Sequence, residues 1–169
     1  MSDASKKMLF RFAIHALVGF VLYLFQASVF AHLRLWGVTP LILPLAVVSI
    51  ALFEGPGWGF GFGLYAGVLT DIALAESTIM FTLLLCALGF FIGLMSNFML
   101  ARGFPSYLLC AGLSLVLIAF FQLFGLLVFY GQPPRALFTV AALQSLYSMF
   151  FALPIYYLGR RLAKQAITK

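Results

Sequence analysis

Six long apolar segments fill this 169-residue chain and leave only short connections between them. They run approximately over residues 8–31, 38–53, 57–75, 78–99, 106–130 and 137–158. A helix needs about 20 apolar residues to cross the hydrocarbon core of a bilayer, where it satisfies its own backbone hydrogen bonds. The apolar runs are continuous and do not alternate with polar residues, so they predict helices and not the strands of a membrane barrel.

The amino-acid composition excludes an ordinary soluble protein. The chain is 64% hydrophobic and 8% charged, whereas soluble domains are about 45–50% apolar and about 25% charged. The predicted fold class is therefore all-α, a polytopic membrane helix bundle of six transmembrane helices that forms one integral membrane domain over residues 1–169. The net charge of +6 does not indicate a nucleic-acid partner, because the basic residues flank the apolar segments, where they meet anionic membrane lipid.

The distribution of lysine and arginine predicts the orientation of the bundle. Six spans place both termini on one side of the membrane. That side would carry Lys6, Lys7, Arg11, Arg102, Arg160, Arg161, Lys164 and Lys169, and the opposite side only Arg34 and Arg135. Because cytoplasmic loops carry the excess of basic residues, both termini are predicted to be cytoplasmic.

The second segment leaves two interpretations open. At about 1.5 Å per residue its 16 or so residues reach only about 24 Å, less than the ~30 Å thickness of the hydrocarbon core. It is either a short tilted span, which we favour, or one arm of a re-entrant hairpin with the third segment. Pro44 is expected to kink it.

Glycines spaced four apart mark one face of the third segment. Gly55, Gly59, Gly63 and Gly67 share this face, Asp71 continues the series, and Gly57 and Gly61 are expected to widen it. Gly89 and Gly93 form a shorter row on the fourth segment. Small residues let helix backbones approach closely in lipid. The rows therefore predict packing within the bundle, an interface with the helix of a partner protein, or a ligand cavity.

Two acidic residues are polar functional candidates. Asp71, near the predicted outer end of the third segment, either pairs with Arg34 or Arg135 or caps a helix end, since intramembrane carboxylates need polar surroundings. Glu54 is expected in a tight turn that leads into the next helix, where its charge suits the helix dipole.

No catalytic signature is present in the sequence. The chain has no HExxH, GxSxG or Walker lysine motif, so we predict no enzymatic activity, catalytic residue, metal site or cofactor. His15 is more simply interpreted as a polar residue that hydrogen-bonds between helices than as a proton carrier or ligand. Polar residues within the segments, such as Gln26 and Ser148, are expected to form hydrogen bonds between helices.

Two stretches between the second and the fourth segment carry a family resemblance, "VTPLILPLAVVSIALFEGPGWGFGFGLYAGVLTDIALAES" and "GFFIGLMSN". They resemble the MreD family of rod shape-determining membrane proteins. In that family a proline precedes a run ending near Phe-Glu/Arg-Gly, and a glycine-rich helix then ends in an aspartate. The matching positions are Pro40, Phe53, Glu54, Gly55, Gly59, Gly63, Gly67 and Asp71. The sequence departs from the family after the aspartate, where "IALAESTIMF" replaces the usual Ser/Gly and "PLG" element.

This resemblance implies a fold and a function. It implies a bundle similar to the S components of energy-coupling-factor transporters, and a non-catalytic scaffold of the cell-elongation machinery in the bacterial cytoplasmic (inner) membrane. Its partner would be MreC, through which it would act on RodA and its transpeptidase and so regulate peptidoglycan synthesis and cell shape. The alternative is a substrate-binding S component of an energy-coupling-factor vitamin transporter, which should show a polar ligand pocket.

Overall fold

The computed structural model describes residues 3–29, 40–74, 79–98, 103–130 and 134–167. Its α-helices over these ranges are α1 (Asp3–Leu24), α2 (Ile42–Glu54), α3 (Pro56–Leu74), α4 (Met80–Phe98), α5 (Phe104–Tyr130), α6 (Pro134–Phe150) and α7 (Ala152–Ile167). A π-helical turn, Phe25–Val29, continues α1. No strand occurs in this described part of the chain, which confirms the all-α prediction.

The short helix α2 lies at the centre of the bundle. Every residue from Ile42 to Leu52 is buried, and α1, α3, α4, α5 and α7 all pack against it. A helix that is apolar on all sides has no face suited to water, so it is stable only when other elements surround it. The 13 residues of α2 rise only about 20 Å, so the second segment forms a short central helix.

Pro44 does not kink α2, contrary to the expectation from sequence. The helix begins at Ile42, so Pro44 is its third residue and lies in the first turn. The amide groups of a first turn have no carbonyl partner inside the helix, and the missing N–H of proline therefore costs nothing there.

A single residue joins α2 to α3. Gly55 has φ 92° and ψ −174°, and its N–H donates to the carbonyl of Ala51. An L-residue with a side chain rarely adopts this φ, whereas glycine does so without steric cost. Pro56 then starts α3, at a position where proline is favoured. The motif Glu-Gly-Pro therefore ends one helix and begins the next within three residues.

The predicted sixth segment, 137–158, is not one continuous helix. It divides into α6 and α7 at Phe151, with a bend of 48° between the two helical axes. Pro154 explains the break, since it cannot donate a hydrogen bond to the carbonyl of Phe150 and its ring clashes with that turn. At the break, the N–H of Phe151 donates to the carbonyl oxygen three residues earlier, Ser148 O, at 3.0 Å.

Several described helices are long and apolar enough to cross a membrane, as the sequence predicts. They are Phe10–Ser28, Met80–Asn97 and Phe104–Phe124, and the bent pair Phe138–Phe150 and Ala152–Lys164 would add a fourth span. Helix α3 has 19 residues, but its glycines and Asp71 make it less apolar than these. Helix α2 is apolar but short.

Candidate functional site: a glycine contact and a buried charged cluster

Helices α3 and α4 touch backbone to backbone along one face of α3. A methyl group added to Gly59, Gly63 or Gly67 would leave no room for the opposing helix. The collisions would be with the α4 backbone at Gly89, Leu85 and Thr82, in that order. This is the face that the four-residue spacing defines in the sequence, and its occupant is a helix of the same chain.

The remaining glycines of the two rows lie at the end of this contact nearest the α2–α3 turn. A Cβ atom built on Gly93 would lie 2.5 Å from the Cα atom of Pro56. Gly55 faces the side chain of Asn97, with 3.8 Å between its ideal Cβ and Asn97 Oδ1. All six glycines of the two rows are buried. The structure thus uses them for packing within the bundle, and a partner helix would have to displace α4 to reach them.

Gly57 and Gly61 do not widen the contact. Nothing lies within 4 Å of a Cβ atom built on either residue. Successive helical residues are about 100° apart, so a shift of two positions from Gly59 points to the opposite side of α3. These two glycines therefore provide an internal comparison for the buried ones.

Asp71 caps the first turn of α4. Its Oδ1 atom accepts a hydrogen bond from Phe81 N at 3.2 Å, and its Oδ2 atom accepts from Thr82 N at 3.0 Å and Thr82 Oγ1 at 2.6 Å. The first amide groups of a helix have no internal acceptor and carry the positive end of the helix dipole. Arg34 lies outside the described residues, and so does the side chain of Arg135.

Glu54, the other polar candidate, lies beside the tight turn that the sequence predicts, and it also makes contacts that the sequence did not show. It is the last residue of α2, and its carboxylate is turned toward α1 with only 4% of the side chain exposed. Arg11 Nη2 donates to Glu54 Oε2 at 3.2 Å, and His15 Nε2 lies 2.9 Å from Glu54 Oε1. The carboxylate therefore joins α1 to the α2–α3 turn.

The ring of Trp58 packs against Arg11 and His15 and completes a cluster of four residues with Glu54. The Arg11 guanidinium carbon lies 5.0 Å from the centre of the Trp58 ring, and the His15 ring centroid is also 5.0 Å from it. A cation over an aromatic face gains electrostatic energy, more so when it is partly desolvated. Arg11 keeps 36% of its side chain exposed, whereas His15 keeps 5%. Arg11 thus covers a buried acid–imidazole pair. Sequence reasoning missed this cluster, although its four residues are polar or aromatic near two predicted cytoplasmic ends.

Side chains from the π-helical turn after α1 and from α6 bind the buried N–H groups at the start of α2. Gln26 Oε1 accepts from the N–H groups of Ile42 at 3.0 Å and Leu43 at 3.1 Å. Ser148 Oγ accepts from Leu41 N at 2.8 Å. A buried helix end without such partners would be costly. These bonds confirm that polar residues of the apolar segments connect different helices, although the sequence did not show which ones.

One cavity lies where α1, α2, α3 and α7 meet. Residues such as Val18, Ile50 and Phe62 line it, and its volume is about 10 Å³. That is roughly the space of one water molecule, whereas pockets for small molecules measure about 300–1,000 Å³. This position in the bundle interior therefore has no room for a vitamin.

Comparison of the chain with protein-family models, with curated proteins and with solved structures found no match. The function is accordingly inferred from the residues and their arrangement.

Proposed function

We propose that this chain is a non-catalytic membrane scaffold of the bacterial cell-elongation machinery, similar to MreD, which binds MreC. Through MreC it would influence RodA and its transpeptidase and regulate peptidoglycan synthesis and cell shape. The observation that carries the proposal is that the residues behind the resemblance act together. Gly55 joins α2 to α3, Gly59, Gly63 and Gly67 pack α3 on α4, and Asp71 caps α4. The motif thus builds one rigid unit.

The outer helices suit a scaffold because they present large apolar side chains around that unit. Leu17 of α1 is 64% exposed and Leu109 of α5 is 74% exposed. In a bilayer such faces contact lipid or the helix of a partner. Small packed bundles of this kind can bind a bitopic protein such as MreC without a catalytic centre or a ligand pocket.

We further propose the six-helix plan of an S-component-like fold, with both termini in the cytoplasm. In this plan α2 and α3 are short spans, and α6 with α7 forms one bent span. The positions of basic residues support it. Arg11 of α1 contacts Glu54, and Tyr156 packs on Phe53 and Phe104 at the same end of α2. Three further basic residues follow Tyr156 along α7: Arg160, Arg161 and Lys164. In this plan the basic residues of α1 and α7 would share the cytoplasmic side, as the positive-inside rule predicts.

Affinity purification from native membranes tests this proposal. The protein would carry a tag at its C-terminus, the membranes would be solubilised in a mild detergent, and co-purifying proteins would be identified by mass spectrometry. Recovery of MreC, a bitopic protein with a periplasmic coiled coil and β-domain, is the expected result. Recovery of a coupling subunit with two ATPases, or of a bound vitamin, would overturn the scaffold proposal in favour of a transporter S component.

A further inference from the structure

The hydrogen bonds of His15 fix the number of protons that it shares with Glu54. The Nδ1 atom lies 2.8 Å from the carbonyl oxygen of Arg11. A carbonyl oxygen only accepts, so Nδ1 carries a hydrogen and donates it. The Nε2 atom lies 2.9 Å from Glu54 Oε1. One more proton must lie between these two atoms, held either as imidazolium with carboxylate or as imidazole with carboxylic acid.

Loss of this second proton would leave one hydrogen for the two ring nitrogens. If that hydrogen stays on Nδ1, the lone pair of Nε2 faces the carboxylate; if it moves to Nε2, the lone pair of Nδ1 faces the carbonyl of Arg11. The imidazole and the carboxylate are both almost fully buried. A buried acceptor that loses its donor carries the full cost of its desolvation. In the described part of the chain, Arg11 is the charged residue in contact with the pair, and it binds the other carboxylate oxygen. The aromatic ring of Trp58 closes the remaining side.

The geometry points to a proton-binding site formed by His15 and Glu54, whose occupancy completes both hydrogen bonds of the imidazole and so strengthens the contact between α1 and the α2–α3 turn. A proton taken up on Nε2 completes the hydrogen bond to Glu54 while Nδ1 keeps its bond to Arg11 O. Release of that proton leaves one hydrogen for two acceptors, so His15 loses either its bond to Glu54, 39 positions away in the chain, or its bond to Arg11 O. Arg11, at the exposed edge of the cluster, separates the pair from solvent. This inference is independent of which partner the scaffold binds.

Trp58 reports on the site, because a neighbouring imidazolium quenches indole fluorescence more strongly than a neutral imidazole does. The chain has two tryptophans, so Trp36→Phe leaves Trp58 as the single fluorophore. The full-length protein with this substitution, purified in detergent, is titrated while its emission is recorded. We expect emission to rise with increasing pH in one transition, and we expect His15→Gln to abolish that transition.

Two substitutions should move the transition in opposite directions. Glu54→Gln removes the anion that holds the proton, so the midpoint should fall by about one pH unit or more, since a close opposite charge shifts proton affinity by about 1–3 units. Arg11→Gln removes a competing cation, so the midpoint should rise. Its shift should be smaller because Arg11 is partly exposed to solvent, which screens its charge.

Circular dichroism and gel filtration would verify that each variant is folded, and Arg11→Gln serves if Glu54→Gln does not fold. Opposite shifts in the two variants, with no transition in His15→Gln, would support the site. A transition that persists in His15→Gln would overturn the inference. So would a flat signal across pH 4–10 in the starting protein, or a midpoint that neither substitution moves.

Discussion

The α3–α4 contact and the outer surface of α5 lie in the same bundle, yet opposite features of the sequence build them. Between α3 and α4 the backbones touch because side chains are missing at Gly59, Gly63 and Gly89. On α5, large side chains such as Leu109 and Leu113 extend outward with most of their surface exposed. Between α3 and α4, the distance between the two backbones restricts the sequence to residues without a side chain. On the outer face of α5, only contact with the surroundings restricts the sequence, so many apolar side chains fit there.

We expect the largest difference in unfolding free energy between substitutions at a buried glycine and at an open glycine of α3. Gly63→Ala should destabilise the protein by about 1–3 kcal/mol because the new methyl group would overlap the Leu85 carbonyl. Gly61→Ala should be neutral or stabilising by up to about 1 kcal/mol, since alanine favours a helix over glycine and the position is open. Unfolding by sodium dodecyl sulfate in mixed micelles measures both.

Larger substitutions on the buried and the open faces of α3 test whether this contact is needed for the proposed partner binding. Gly63→Leu or Gly67→Leu should abolish correct packing of α4 and with it the capture of MreC. Gly61→Leu should retain both. Normal folding and normal capture in the Gly63→Leu variant would show that the tight contact between α3 and α4 is not needed for either.

The buried start of α2 should show the next largest effect. Gln26→Leu leaves the N–H groups of Ile42 and Leu43 without their acceptor. Because the two bonds share one oxygen and are only partly buried, we expect a total loss of about 1–2 kcal/mol, near the lower end of the cost of unsatisfied donors. Gln122→Leu on α5 is the matched control, because Gln122 has no hydrogen bond to this helix end. Equal unfolding free energies for the two variants would show that the α2 cap contributes nothing.

A smaller loss is expected at the α4 cap. Asp71→Ala should cost about 1 kcal/mol, as removal of a helix cap typically does, and Asp71→Asn should cost less because one acceptor oxygen remains. Amide hydrogen exchange at Phe81 and Thr82, the two residues whose N–H groups bind Asp71, would locate the effect. Exchange that is unchanged in Asp71→Ala would contradict the capping role.

The outer face of α5 should show the smallest effect on stability. Leu109→Ala should change the unfolding free energy by no more than about 0.5 kcal/mol, as for other surface substitutions. Ile118→Ala on the same helix removes a fully buried side chain and should cost at least about 1 kcal/mol because it leaves a cavity. If Leu109→Ala nevertheless weakens capture of MreC in native membranes, this face contributes to the partner interface.

Much of the fold could be predicted from particular residues, but boundaries and contacts could not. The apolar runs predicted the helical segments, and the glycine spacing predicted the close-packed face of α3. The break at Phe151 was missed even though Pro154 lies within the segment, because a proline in a span can also sit in a mildly bent helix. The prediction of a kink at Pro44 was wrong. A proline kinks a helix only when it lies beyond the first turn, and the sequence did not show that α2 begins just two residues before Pro44.

The sequence by itself determined that this chain is helical, that several of its helices are apolar enough for a membrane, and that one face of α3 admits close approach. These properties follow from local composition and from the 3.6-residue period of the helix. Only the tertiary structure decided that α4 fills the glycine face, that Gln26 caps α2, and that Arg11, His15 and Glu54 meet above Trp58. Such pairings depend on which helices pack against one another. The helical period of one segment shows which residues share a face, but it does not show which other helix packs on that face.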